Sequence, residues 1–305
     1  MQDYDLVRLN FSQGGLFVLN ICLGLIMYGV SLELTLADFT NLRKQPKAAI
    51  VGLFSQLVLL PAITVGLLYI LKPHPGLALG MILVAACPGG NMSNFISLLA
   101  KGNVPLSISL TATTTVLAWF FTPFNFFFWG KLYSPAADRL KEISLNPIDV
   151  FLSIFLILVL PLILGALTNR FFPRIASSLK KPMRIGSTIL LGVFILIAFV
   201  GNWKSFVEFG PVLFWLVLLH NGSALTVGYL ASWIAGLAHK ERKTISLETG
   251  LQNSGLGLIL IFTFFQGIGS MALIAAWWGV WHLISGLLLA AIWGREKQPE
   301  IFVHV

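Results

Sequence analysis

Glu248 is the one acidic residue that falls deep inside an apolar run of this 305-residue chain. Placing a carboxylate at membrane depth costs roughly 2.5–3.5 kcal/mol even on the mildest insertion scale, so such a group marks a proton site or a cation ligand. The residues with matching chemistry are neutral oxygen donors: Gln56, Ser93, Asn94, Ser107, Thr111 and Gln252. Hard cations prefer oxygen, and calcium gathers several carboxylates. One carboxylate among neutral oxygens suits a monovalent ion, with sodium favoured and a proton as the second reading. The bland alternative is a helix-end glutamate reaching water, because its span begins near Lys243.

Two polar interruptions carry most of these residues. They are Cys87-Pro88-Gly89-Gly90-Asn91-Met92-Ser93-Asn94 and Glu248-Thr249-Gly250-Leu251-Gln252-Asn253-Ser254-Gly255. Pro88 lacks a backbone donor, and adjacent glycines weaken a helix further. A backbone opened inside a bilayer must be buried in protein or line a cavity, and paired breaks in two halves of a chain point to a transporter's binding site. A half-helix that starts at a break presents free N–H groups and a positive dipole end to an anion. One that stops there presents carbonyls to a cation. Other polar residues read more plainly. Glu33 and Asp38 lie beside Arg43 and suit surface pairing, His220 suits a satisfied interior histidine, and His282 stands evenly between structure and substrate contact.

The elements that position these groups are membrane helices. The chain is 57% hydrophobic and only 10% charged, whereas soluble domains carry roughly 25% charged residues. Nine apolar spans are predicted, at about 14–38, 47–71, 76–100, 104–130, 148–169, 186–203, 210–237, 242–267 and 271–294. The segments about 131–147 and 170–185 read as loops or surface helices, the second with amphipathic character. A net charge of +8 would suit a nucleic-acid binder, but the basic residues sit in short loops, where orientation explains them. Arg43, Lys44, Arg170, Arg174, Lys240 and Arg242 fall on one side, which the positive-inside rule makes cytoplasmic. The N-terminus is then outside and the C-terminus inside. The acidic start Met1-Gln2-Asp3-Tyr4-Asp5 does not suit a cleavable signal. Cys22 and Cys87 both lie in apolar segments, so neither a disulfide nor a metal framework is expected.

The broken spans 76–100 and 242–267 are each followed by a short turn and a long span, and they enter from opposite sides. That is the pattern of an inverted repeat. The expected fold is all-α and polytopic, a single membrane transport domain over 1–305. Its core would take in about 76–130 and 242–294 with neighbouring spans; a panel would come in part from about 14–71 and 148–237.

At these motifs the chain resembles the bile acid:sodium symporter family, and in particular its bacterial members related to the apical sodium-dependent bile acid transporter. The resemblance rests on Cys87-Pro88-Gly89-Gly90 with Ser93-Asn94, Gly102-Asn103, Gln56 before Pro61, and Glu248 with Gly250. It extends to Gln252-Asn253-Ser254-Gly255, His220-Asn221-Gly222, and Trp281-His282 with Ser285-Gly286. It implies panel and core domains that move against each other, with the two discontinuous helices crossing in the core. It also implies two sodium ions. Ser93, Asn94, Ser107, Thr111 and Glu248 would hold one; Gln56, Glu248 and Gln252, with the carbonyls of Thr249 and Leu251, would hold the other. An organic anion would lie near Asn91, Asn253 and His282; bile acids, pantoate and other organic acids are substrates of similar proteins. Set against the family's bacterial members, the resemblance implies a chain beginning at their second span. This chain has Asn91 in place of a threonine, and Leu283 where an asparagine follows the histidine.

The function implied is sodium-coupled symport of an organic anion by alternating access, in a bacterial inner membrane, with lipid as the only other partner and no obligate protein or nucleic-acid partner. A proton-coupled or exporter-type carrier of the same fold is the alternative. An intramembrane enzyme is remote: an aspartyl protease needs a second deep carboxylate, and His220 and His282 lack a third ligand.

Overall fold

A computed structural model describes residues 21, 24–32, 35–143, 147–201, 203–265 and 267–296. Among them the chain is helical apart from short turns and an antiparallel bridge between Gly89 and Gln252. In order, the helices are α1 (24–32), α2 (Leu36–Lys44), α3 (Pro46–Phe54), α4 (Leu60–Leu71), α5 (Pro75–Ala86), α6 (Met92–Leu99) and α7 (Val104–Leu132). After them come α8 (Ser134–Ile143), α9 (Pro147–Phe171), α10 (Pro173–Gly201), α11 (Trp203–Ile234), α12 (His239–Gly250), α13 (Ser254–Phe264) and α14 (Gly269–Gly294).

Among the described residues, five helical runs are long and apolar enough to cross a membrane: Pro46–Leu71, Val104–Leu132, Ile154–Phe171, Val207–Ile234 and Gly269–Gly294. The first joins α3 and α4 through a π-helical turn at Ser55–Leu59. The spans expected at 76–100 and 242–267 each divide at their polar runs, into α5 with α6 and α12 with α13. Of the span expected at 14–38, residues 14–20, 22, 23, 33 and 34 lie outside the described residues, and so do Cys22, Glu33 and the N-terminal residues.

Two expectations change. Segment 170–185 takes the helical alternative of the two expected, but not as a separate surface helix: α10 begins at Pro173 and runs unbroken to Gly201, so its charged first half extends the next helix. Asp38 does not pair with Arg43. Its Oδ2 accepts from Thr35 N (2.7 Å) and Thr35 Oγ1 (2.9 Å), which caps the start of α2.

The core lies around the broken helices. α5 packs along α14, and both contribute to a cluster that includes Leu77, Met81, Phe262, Ile274 and the fully buried Trp278. α11 packs along α12, where glycines permit the approach. A Cβ on Gly228 would stand 2.8 Å from the Ile245 carbonyl oxygen, and one on Gly250 would stand 2.4 Å from Leu225 Cδ2. The helix pair α3–α4 packs against α5, α7, α11 and α12, so it belongs beside the breaks. Away from them, α1 is tied to α9: Ser31 Oγ donates to Leu162 O (2.5 Å), and Asn169 Nδ2 donates to Leu32 O (2.9 Å).

Candidate functional site

The two breaks solve each other's backbone problem. α5 ends where Cys87 turns extended, one residue before Pro88. Gly90 N then donates to Leu251 O (2.7 Å), and Asn253 N donates to Pro88 O (2.8 Å). In a bilayer each of these groups left bare would cost several kcal/mol; here one opened chain supplies what the other lacks. A side chain completes the crossing from α11. The buried Asn221 Nδ2 donates to Gly250 O (2.7 Å), and its Oδ1 accepts from Ser285 Oγ on α14 (2.6 Å).

Glu248, one turn before the second break, is fully buried. Its Oε1 accepts from Ser93 Oγ (2.5 Å) on α6, from Ser107 Oγ on α7, and from Thr111 Oγ1 (3.1 Å). Its Oε2 accepts from Thr111 Oγ1 (2.9 Å) and from Gln56 Nε2 (3.4 Å). Asn94 turns its Oδ1 toward the same hydroxyls, 2.9 Å from Ser107 and 3.3 Å from Thr111. All five residues expected around one ion are therefore together, although they come from α6, α7 and α12. Each hydroxyl has one proton to give, and the oxygens outnumber those protons.

Two amide oxygens sharpen the imbalance. Gln56 Oε1 and Gln252 Oε1 are buried without a hydrogen-bond partner. A buried polar atom normally finds one, and a cation is the group that several unpaired oxygens would satisfy. A Cβ on Gly89 would stand 3.0 Å from Glu248 Oε2 and 3.3 Å from Gln56 Oε1, so the missing side chain keeps open the space between them. The second expected set is gathered less completely. Gln252 Nε2 folds back on its own helix to Thr249 O (2.8 Å) and Glu248 O (3.4 Å), while Leu251 O is engaged by Gly90.

The residues expected near an anion are spread out. Asn91 is exposed at the start of α6 and makes no capping bond. Asn253 caps α13 by accepting from Leu256 N (3.0 Å). His282 is buried on α14 with Nδ1 unpartnered. Among the described residues no hydrogen bond joins the three. His220 takes the structural role expected of it: its Nε2 lies 2.7 Å from Thr64 Oγ1, and its ring packs on Trp278.

Two residues at the crossing, Thr114 and Asn221, and one beside the Gln56 turn, Asn125, were not among the expected ligands. Thr114 Oγ1 accepts from Gly89 N (3.4 Å), Asn125 Nδ2 donates to Leu57 O (2.9 Å), and Asn221 acts as described. Thr114 had a signal, since it continues the face of Ser107 and Thr111 one turn on. At the end of the bundle where α12 begins, the buried Lys243 Nζ caps Trp293 O (3.2 Å) and pairs with Glu296 Oε2 (2.5 Å). His239 Nε2 lies 2.9 Å from the same carboxylate. Hydrogen bonds from Lys243 and then His239 hold the Glu296 carboxyl below the ordinary glutamate range.

A helical membrane protein whose broken helices cross around one buried carboxylate fits a carrier, and the known proteins similar to this chain agree. The model of the sodium bile acid symporter family matches residues 20–209. The sodium-dependent transporter YocS of Bacillus subtilis (strain 168) is 32% identical over 297 residues, covering 96% of this chain and 89% of its own. The probable sodium/metabolite cotransporter BASS1, chloroplastic, of Arabidopsis thaliana is 32% identical, covering 92% of this chain and 67% of its own. The ileal sodium/bile acid cotransporter of Homo sapiens is 27% identical over 78% of this chain and 67% of its own. The chain belongs to the sodium bile acid symporter family. Its relatives are transporters by name and not enzymes, in keeping with the absence of a catalytic constellation from the sequence reading.

Proposed function

We propose that the protein is a secondary carrier that moves a small organic anion together with sodium across a membrane by alternating access. The observation that carries this reading is the fully buried Glu248, ringed by Ser93, Ser107, Thr111 and Gln56 at the helix crossing, with two amide oxygens left unpaired beside it. Sodium is a co-transported ion in this reading. Ser93, Asn94, Ser107, Thr111 and Glu248 hold the first; Gln56, Glu248 and Gln252, helped by the Thr249 and Leu251 carbonyls, hold the second. Two ions on one carboxylate leave about one positive charge, which an organic anion at Asn91, Asn253 and His282 balances. The anion is bile-acid-like or a smaller carboxylate such as pantoate or a 2-oxo acid, in keeping with relatives named for bile acids and for metabolites.

The moving core comprises α5–α7 and α12–α14, with α3–α4 and α11 attached, since Gln56 and Asn221 reach the crossing. α1, α9 and α10 form the opposing panel, which the Ser31 and Asn169 ties support. The antiparallel sense of the Gly89–Gln252 bridge favours an inverted repeat. The proposed setting is a bacterial plasma membrane, with the N-terminus outside and the C-terminus in the cytoplasm. Uptake into proteoliposomes under a sodium or a choline gradient at fixed pH tests the reading. Uptake that follows sodium supports it; uptake that ignores sodium and follows pH replaces it with a proton-coupled carrier.

A further inference from the structure

Gln56 faces Glu248 from a turn that is not α-helical. Residues Ser55–Leu59 form a π turn in which Leu60 N donates to Ser55 O. A π turn inserts one residue into the helical course and re-aims the side chain it carries, which is why such turns collect at functional sites. The cause is local. Pro61 has no N–H, so the Leu57 carbonyl four residues earlier loses its α-helical donor, and the proline ring crowds it.

That carbonyl is not left bare. Asn125 Nδ2 on α7 donates to Leu57 O at 2.9 Å. Asn125 is itself buried, only 3% exposed. Its spacing places it on the face of α7 that carries Ser107, Thr111 and Thr114, all buried and all at the crossing. One helix thus supplies two of the three hydroxyls for the carboxylate and an amide for the helix opposite.

We propose that Asn125 is a positioning residue for the cation site: it caps the carbonyl freed by Pro61 and so holds the π turn that aims Gln56 at Glu248. The inference rests on the reading of Gln56 as an ion ligand. Without the amide, Leu57 O is a buried acceptor with no donor, and because Pro61 denies it one in an α-helical course, the turn must shift to find another. A shift of one residue swings Gln56 by about 100° around the helix axis, at 3.6 residues per turn. The oxygen then leaves the carboxylate.

Thermal unfolding of the purified full chain, with sodium chloride titrated against choline chloride at constant ionic strength, gives the sodium concentration for half-maximal stabilisation. Gln56→Ala sets the scale. Asn125→Leu is expected to raise the sodium midpoint by roughly 10-fold or more, the usual effect of losing a group that orients a cation's ligand. Pro61→Ala returns an N–H to Leu57 O, so it is expected to raise the midpoint similarly while keeping or raising the melting temperature in choline. Adding Asn125→Leu to Pro61→Ala is expected to change the midpoint little, because the carbonyl no longer needs the amide. A merely structural asparagine lowers the melting temperature in choline and leaves the sodium midpoint alone; that result overturns the proposal. An unchanged midpoint in Pro61→Ala overturns it as well, even if Asn125→Leu does not fold. Should Gln56→Ala shift the midpoint while the other two do not, only the positioning role falls. A neutral Gln56→Ala removes the ion reading and the proposal together.

Discussion

The first break and the second differ in how much each leaves open. At the first, Asn91 is exposed and its side chain caps nothing, and the half-helix behind it exposes Met92, Phe95, Leu98 and Leu99. At the second, Asn253 caps α13, and α13 is buried from Ser254 to Phe262. Proline and glycines open the first; the second follows a helix whose last carbonyl is tied off by Asn221. The difference separates two tasks. At the first break Ser93 N and Asn94 N are held by Gly90 O and Asn91 O, so it is the exposed Asn91 side chain that stands free to meet a ligand, whereas at the second break Glu248 is buried among its oxygen partners. An ion bound there meets preorganised ligands, and a substrate bound at the open side meets a surface that residue 91 can reshape.

The sharpest way to break this division is Glu248→Gln. Removing one member of a buried charged contact costs roughly 2–5 kcal/mol, or about 30-fold to several thousand-fold in affinity. Sodium-dependent stabilisation and uptake are both expected to vanish from the measurable range, and retention of either sinks the ion site. The paired glycine changes come next. Gly89→Ala puts a methyl between the movable ends of the Glu248 and Gln56 side chains, whereas Gly250→Ala drives one into Leu225, overpacking that costs about 1–3 kcal/mol. The first is expected to weaken sodium binding with little change in the melting temperature without sodium. The second is expected to lower that melting temperature. If both act alike, the breaks are not specialised.

A smaller contrast concerns the two asparagines. Asn253→Ala deletes a helix cap, which costs about 0.5–2 kcal/mol, and is expected to lower the melting temperature. Asn91→Ala deletes no cap and is expected to leave stability unchanged while altering which anions compete for uptake. The smallest effect lies away from the crossing. Because Glu296 is held below the ordinary glutamate range by Lys243 and His239, its stabilisation is present above its unfolded value and is lost as pH falls through the folded one. A pH titration of the melting temperature should show an extra acid-side decline that Glu296→Gln removes.

Glu248 and its oxygens were legible in the sequence because few such residues occur at membrane depth, and an unexplained one stands out. The breaks were legible for the same reason, since Pro88 with Gly89-Gly90 has no place in an uninterrupted span. Asn125 was not. It is a lone amide in a run of phenylalanines, and its purpose appears only when α7 lies beside the carbonyl that Pro61 frees. Asn221 escaped similarly, because its partners Gly250 and Ser285 are distant in the chain. The start of α10 was hidden by Lys180, Lys181 and Arg184, which end a hydropathic run without ending a helix. Thr35 and Asp38 did carry a capping pattern, but the nearby Arg43 offered a competing partner for the carboxylate.

The bridge between Gly89 and Gln252 is main chain to main chain. Peptide groups are the same in every residue but proline, so this joint tolerates exchange of the side chains mounted on it. Asn91 can therefore drift toward a threonine, or toward something else, while the joint beneath it stays intact. On the proposed function, the coupling machinery lies in the backbone and in one carboxylate, and the choice of cargo falls to a few replaceable side chains. New substrates can then be selected, in nature or at the bench, without rebuilding the ion site.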